Sequence, residues 1–223
     1  MNTNEKKDTV TSIGSFIERY KKAIIVVFLV VLVALIAVIA TSAISKHVRK
    51  NGFEKLDTLT VELSKAQSGD TVDTAAEQDI LVQAKELASS TSGIVATRAY
   101  MFAADIDFKN KNWEYSKESW LNAANATNAY TTPICYYNAA VCAEEMGDMD
   151  SAIENYNKAI ADESFALAPR AYFNIGRIEE QRGNFIAASE IYTQLTDKFS
   201  GNDWANLAES RLISLKSEGK LEN

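Results

Sequence analysis

Histidine is almost absent: His47 is the only imidazole in 223 residues. That excludes Ser-His-Asp triads, His-rich metal sites and imidazole acid–base pairs from everything beyond it. Two prolines are too few for a Pro-rich disordered tether. The two cysteines, Cys135 and Cys142, are seven apart. On one helix their Cα atoms lie about 10.5 Å apart, beyond the roughly 7 Å a disulfide spans. They read as small buried apolar residues, and without histidine they close no zinc site. A Gly-rich phosphate loop, His-Glu-x-x-His and Cys-x-x-Cys are all missing. The adjacent carboxylates Glu144-Glu145 and Glu179-Glu180 point about 100° apart on a helix, so they do not converge and read as solvated faces. The sequence therefore predicts no catalytic residue, no cofactor and no metal site, and the chain reads as a non-enzyme.

Charge and apolarity are unevenly spread. Residues 1–50 carry 8 Lys and Arg against 3 Asp and Glu, whereas residues 51–223 carry 15 against 27. The acidic part would repel phosphate, which argues against nucleic acid as a partner. From Ala23 to Ala40 no polar side chain occurs, and roughly 20 helical residues cross a ~30 Å hydrocarbon core. Arg19, Tyr20, Lys21 and Lys22 on one side, and Lys46, His47, Arg49 and Lys50 on the other, suit the two interfaces. The run exceeds the about 7–15 residues of a signal peptide's apolar core, so an uncleaved anchor is expected. The division is a basic tail at 1–22, a transmembrane helix at 23–45, a helical linker and helix pair at 46–92, and a repeat region at 93–223. Lys6, Lys7, Arg19, Lys21 and Lys22 precede the run, and Lys46, Arg49, Lys50, Lys55 and Lys65 follow it. The counts balance; the denser cluster just before the run favours a cytoplasmic N-terminus and an extracytoplasmic repeat region.

A period of 36 residues organises the acidic part. Pro133 and Pro169, Gly147 and Gly183, and Tyr156 and Tyr192 all repeat at that interval. Tyr100, Tyr136 and Tyr172 form one column; Trp113, Met149 and Phe185 another; Ser116, Ala152 and Ala188 a small one; Trp120, Tyr156 and Tyr192 an aromatic one. Asn112, Asp148 and Asn184 follow Lys111, Gly147 and Gly183, which spells helix stop, tight turn, N-cap. Each unit is thus a helical hairpin that must stack on its neighbours. Upstream, Thr74-Ala75-Ala76-Glu77 reads as a capping box opening a helix to about Leu87. Leu56, Leu59, Leu63 and Ala66 form the apolar face of the helix before it, Gln67 to Asp73 is a polar loop containing Gly69, and Asn51-Gly52 is expected to break the helix. A closing helix from Asp203 to Leu215 has a polar side suited to a solvated cap.

The segments Tyr136-Tyr137-Asn138-Ala139-Ala140, Gly147-Asp148-Met149-Asp150-Ser151-Ala152-Ile153 and Tyr156, with their counterparts Tyr172-Phe173-Asn174-Ile175-Gly176, Gly183-Asn184-Phe185, Ala188 and Tyr192, resemble tetratricopeptide repeats. Residues 133–168 and 169–204 are two such repeats and 97–132 a degenerate third. The resemblance implies an all-α fold: one N-terminal transmembrane helix followed by a helical-hairpin solenoid. It also implies that the first helix of each hairpin lines a concave groove for a peptide or helix. The groove columns fall on Met101, Asp105 and Phe108; on Tyr137, Asn138, Val141 and Glu144; and on Phe173, Asn174, Arg177 and Gln181. The family's carboxylate-clamp subtype needs Lys where Tyr137 and Phe173 stand, so terminal-carboxylate capture is not expected.

The layout of basic tail, span, helical linker and acidic repeats is similar to the single-span ancillary subunits of the Sec translocon, the YfgM-like group. That resemblance implies a bacterial inner-membrane scaffold whose partners are translocon, chaperone or envelope proteins. A self-associating structural membrane protein and a cytoplasmic-face adaptor are the alternatives.

Overall fold

The computed structural model describes residues 3–68 and 71–221, with the side chains of residues 3–17 and 24 outside that description. Gly69 of the expected loop and the Lys6 and Lys7 side chains fall outside the described residues. Among the described residues the chain is helical throughout: α1 (Thr3–Ala66), α2 (Thr74–Ser90), α3 (Gly93–Lys109), α4 (Trp113–Ala126), α5 (Thr132–Glu145), α6 (Met149–Ile160), α7 (Ala168–Gln181), α8 (Phe185–Lys198) and α9 (Asp203–Ser217). It divides into two compact units, Met1–Asn51 and Gly52–Asn223.

The described residues of the first unit form a single helix, the first part of α1. Its apolar stretch is long enough to cross a membrane and is buried against nothing. From Ile25 to Ile44, fourteen large apolar side chains stand exposed.

The second unit is a stack in which α2 packs on α3, α3 on α4, and so on to α9. The hairpins α3–α4, α5–α6 and α7–α8 keep the 36-residue register: their second helices begin at Trp113, Met149 and Phe185. The turn between helices is the same three times. Lys111, Gly147 and Gly183 take positive φ of 59°, 76° and 79°. The next N–H, from Asn112, Asp148 or Asn184, reaches back to the carbonyl of Asp107, Ala143 or Glu179 at 2.9 Å. This is the Schellman closure, and it satisfies carbonyls that the helix end leaves open. Lysine is the costly occupant, since a Cβ in the left-handed region costs about 1–2 kcal/mol.

The repeat columns are the core. Ser116, Ala152 and Ala188 are fully buried, as are Tyr156 and Tyr192, with Trp120 nearly so. Small residues let the paired helices close, and each buried aromatic contributes about 1.5–3 kcal/mol. Gly176 marks the tightest approach: a Cβ there would meet Tyr192 Cε1 at 2.5 Å. Pro133 and Pro169 sit in the first turns of α5 and α7, where a missing N–H breaks no helical bond. Cys135 and Cys142 are free and fully buried on α5.

Three expectations are corrected. Asn51-Gly52 does not break the helix, for both residues are helical within α1. Glycine is there because a Cβ on Gly52 would lie 2.5 Å from Val95 Cγ1, so its absence lets α3 close on α1. The cap of α2 is Asp73, whose carboxylate accepts from the Ala76 N–H at 3.0 Å, one residue before the expected Thr74. Glu77 does not reach back to the cap; it is buried and accepts from Gln67 Nε2 at 2.7 Å and Asn110 Nδ2 at 2.5 Å. The same helix runs three residues beyond Leu87, to Ser90.

α9 departs from the hairpin pattern. Aligned through Arg177 and Arg211, the buried α7 residues Tyr172, Ile175 and Gly176 become Asn206, Glu209 and Ser210 on α9, all exposed. That face is polar apart from the exposed Ile213.

Lys111→Gly should raise unfolding stability by about 0.5–1 kcal/mol, the left-handed strain removed outweighing the entropy added to the unfolded chain. Gly176→Ala should lower it by about 1–3 kcal/mol through the Tyr192 overlap. Denaturant titration followed by circular dichroism reads both, and a reversed order would contradict the turn and packing assignments.

Candidate functional site

The face shared by the first helices α1, α3, α5, α7 and α9 holds the expected groove residues, and it is not uniform. Tyr137 is only 4% exposed, edge-on to Tyr156 at 5.3 Å and tilted against Phe165 at 6.0 Å. Phe173 is 9% exposed, against Tyr192 at 5.6 Å and Trp204 at 5.4 Å. Arg170 lies over both the Tyr137 and Trp204 rings, at 5.9 Å and 5.5 Å from their centroids. These aromatics therefore pack the hairpins rather than line a slot. Phe108 is likewise half-buried, edge-on to Trp113 at 4.9 Å, and Val141 packs on the α5–α7 core. Asn138 is half-buried and Gln181 exposed.

The polar members of α5 and α7 bind one another. Tyr156 Oη donates to Glu144 Oε1 at 2.6 Å, Arg177 donates to the other Glu144 oxygen, and Asn174 Nδ2 donates to Tyr156 Oη at 2.9 Å. Arg177 also reaches Gln181 Oε1 at 3.5 Å. One repeat later Tyr192 Oη donates to Glu180 Oε2 at 3.1 Å, and Arg211 donates to both Glu180 oxygens. The same clasp thus recurs: a second-helix tyrosine and the next first helix's arginine share one first-helix glutamate. Burial, reinforced by the neighbouring carboxylates, raises both tyrosine hydroxyls well above their ordinary range. They act as donors, not as acids.

This overturns the reading of Glu144, Glu179 and Glu180 as solvated. Glu144 and Glu180 sit in clasps, and Glu179 accepts from the turn residue Asn184 at 2.7 Å. Only Glu145 of the two adjacent pairs is exposed. Asp107, in the Glu179 column, plays the equivalent part in α3: it is buried, with Lys85 at 2.9 Å and the Asn112 amide at 3.4 Å.

Met101 and Asp105 lie elsewhere. With Phe102 and Arg98 of α3, and Phe53, Leu56, Asp57 and Thr60 of α1, they line a cavity of about 230 Å³. Asp105 keeps contact with solvent, yet the packed helices strip part of its hydration and raise its carboxyl, against the pull of Lys109. Arg98 stands over the Phe53 ring at 5.8 Å. The α1 contribution was missed from the sequence because residues 52–66 precede the 36-residue register; the signal available was Asp57 beside the apolar face of Leu56, Leu59 and Leu63. Among the described residues, no group of three or more His, Cys, Asp or Glu is placed to hold a metal ion. Burial pushes the Cys135 thiol up to about 12 and raises Cys142 as well, so neither is a nucleophile near neutrality.

Glu144→Gln should cost about 1–2 kcal/mol, because it weakens two bonds to a carboxylate that is largely but not wholly shielded. Glu145→Gln, one residue on, should stay within about 0.5 kcal/mol. Equal effects in denaturant titration would deny the clasp.

The family model for the tetratricopeptide repeat matches residues 134–161 and 169–197, which are most of α5–α6 and α7–α8. A "TPR repeat-containing protein" of Treponema pallidum (strain Nichols) is 38% identical over 148 residues, covering 65% of this chain and 62% of that protein. The chain thus spans under two thirds of that relative's length. Two crystal structures of MamA are similar at TM-scores of 0.47 and 0.48, with 21% and 19% identity. They cover 69% and 80% of this chain, and 85% and 86% of their own. The chain contains tetratricopeptide repeats at residues 134–161 and 169–197, within an all-helical stack.

Proposed function

We propose that the protein is a membrane-anchored interaction scaffold, its N-terminus cytoplasmic and its repeat unit on the outer face of the inner membrane, acting in protein translocation or envelope assembly. One contrast carries the reading. The repeat unit buries its apolar columns, whereas the stretch around Ile25–Ile44 leaves fourteen large apolar side chains bare. In water that exposure forgoes on the order of 20 kcal/mol of transfer free energy, and a hydrocarbon environment recovers it.

Several features support the rest. Tetratricopeptide repeats imply protein partners, and translocon, chaperone or envelope proteins follow from the similarity of the layout to the translocon's ancillary subunits. The outer face of α9, polar at Asn206, Glu209 and Ser210 with Ile213 among them, favours solvent over a second copy's repeats. The basic cluster Arg19, Lys21 and Lys22 against the start of the apolar run favours a cytoplasmic tail.

The test is topological and biochemical together. A phosphatase fused after Asn223 should be active in a bacterial host, a galactosidase at the same point silent, and the chain should stay in the membrane pellet through carbonate extraction. Affinity purification of the full chain in detergent should then recover translocon or envelope proteins. Reversed reporters would leave a cytoplasmic-face adaptor, and release by carbonate would remove the anchor.

A further inference from the structure

We propose that the cavity between α1 and α3 receives a basic segment of a protein partner: a Lys or Arg side chain between Asp57 and Asp105, with an adjacent apolar side chain on the floor formed by Phe53, Leu56, Met101 and Phe102. The proposal deepens the scaffold reading above and rests on it.

The cavity is built for a mixed side-chain pair. Its volume, about 230 Å³, suits one or two side chains and not a folded element. Its floor is apolar and its two carboxylates come from different helices. Three acids of the neighbouring first helices are matched from within the stack: Asp107 by Lys85, Glu144 by Arg177, Glu180 by Arg211. Among the described residues, Asp57 and Asp105 have neither an ion pair nor a hydrogen-bond partner. Arg98, the cation on the rim, is turned over the Phe53 ring. Lys109, one helical turn beyond Asp105, acts on it only through space.

Charge complementarity selects the occupant. With 15 basic against 27 acidic residues in 51–223, the unit attracts a basic segment at long range, and the two carboxylates fix its register at short range. An acidic peptide is repelled at both ranges, and so is the equally acidic repeat unit of a second copy.

The probe is a fluorescein-labelled peptide of alternating Lys, Leu and Gly, with a counterpart carrying Glu for Lys. Each is titrated against the full chain in non-ionic detergent, with empty micelles as blank. The Lys peptide should bind, the Glu peptide should not, and Asp57→Asn/Asp105→Asn should weaken the Lys peptide about tenfold at unchanged helicity. Glu190→Gln/Glu209→Gln removes the same charge from exposed positions on α8 and α9 and should change binding less than twofold. Equal weakening by both pairs would reduce the effect to net charge and overturn the site. So would binding of the Glu peptide, or closure of the cavity by a second copy's basic tail, seen as Asp57-dependent self-association. If the Lys peptide fails while affinity purification still recovers envelope proteins, this site falls and the scaffold reading stands. Failure of both removes the scaffold reading itself.

Discussion

A two-helix hairpin buries one apolar face between its own helices and leaves another open, and covering that second face governs everything from Gly52 to the end of α9. Each hairpin can cover it only with the next, so the geometry of one must repeat in the other. The left-handed residue at 111, 147 and 183 secures that repetition, because it sets the direction in which the second helix returns. Once the return is fixed, only small residues fit at 116, 152 and 188, and the aromatic one turn later drops into the same gap each time. At α9 the pattern changes by substitution, Asn206, Glu209 and Ser210 standing where α7 has Tyr172, Ile175 and Gly176. At α1 the apolar face of Leu56, Leu59 and Leu63 closes the stack from the other side.

What repeats was legible in the sequence, because a repeated constraint prints itself at a fixed interval. The hairpin turns and the small and aromatic core positions follow from columns 36 residues apart; of the three cap residues only Asp148 caps with its side chain, while Asn112 and Asn184 turn their amides to Asp107 and Glu179. What depends on a contact made once, or on a partner far along the chain, was not legible. Asn51-Gly52 has the composition of a break, and only the position of Val95, 43 residues later, shows that the glycine serves a close approach. Glu144 and Glu145 are the same residue type side by side; Arg177 on the next first helix decides which is held and which is solvated. Tyr137 and Phe173 stand in groove columns of the family, yet Phe165 and Trp204, both outside those columns, cover them.

The clasps also explain how an acidic unit tolerates its charge. Glu144 and Glu180 are each held by a tyrosine and an arginine from different helices, so their charge works as a joint between neighbouring repeats. Partial burial makes each bond stronger than its surface equivalent and makes an unpaired acid there costly. Repulsion is therefore confined to exposed positions, where solvent screens it. Glu77 is the exception, buried with the amides of Gln67 and Asn110 in place of a cation.

A consequence follows for where specificity resides. Positions that hold one repeat to the next have much of their bonding capacity spent within the stack. Glu144 is held by Tyr156 and Arg177, and Asn174 donates to the same tyrosine, so a partner would compete with the clasp for the Glu144 carboxylate. Recognition is cheaper where the register fails and polar groups remain unspent. In this chain that is the first junction, where α1 precedes the period, no arginine faces Asp105 in the manner of Arg177, and Phe108 occupies the glutamate column. The departures of α3–α4 from the pattern leave Asp57 and Asp105 above an apolar floor, an arrangement that the two matched repeats do not offer while they hold the stack together.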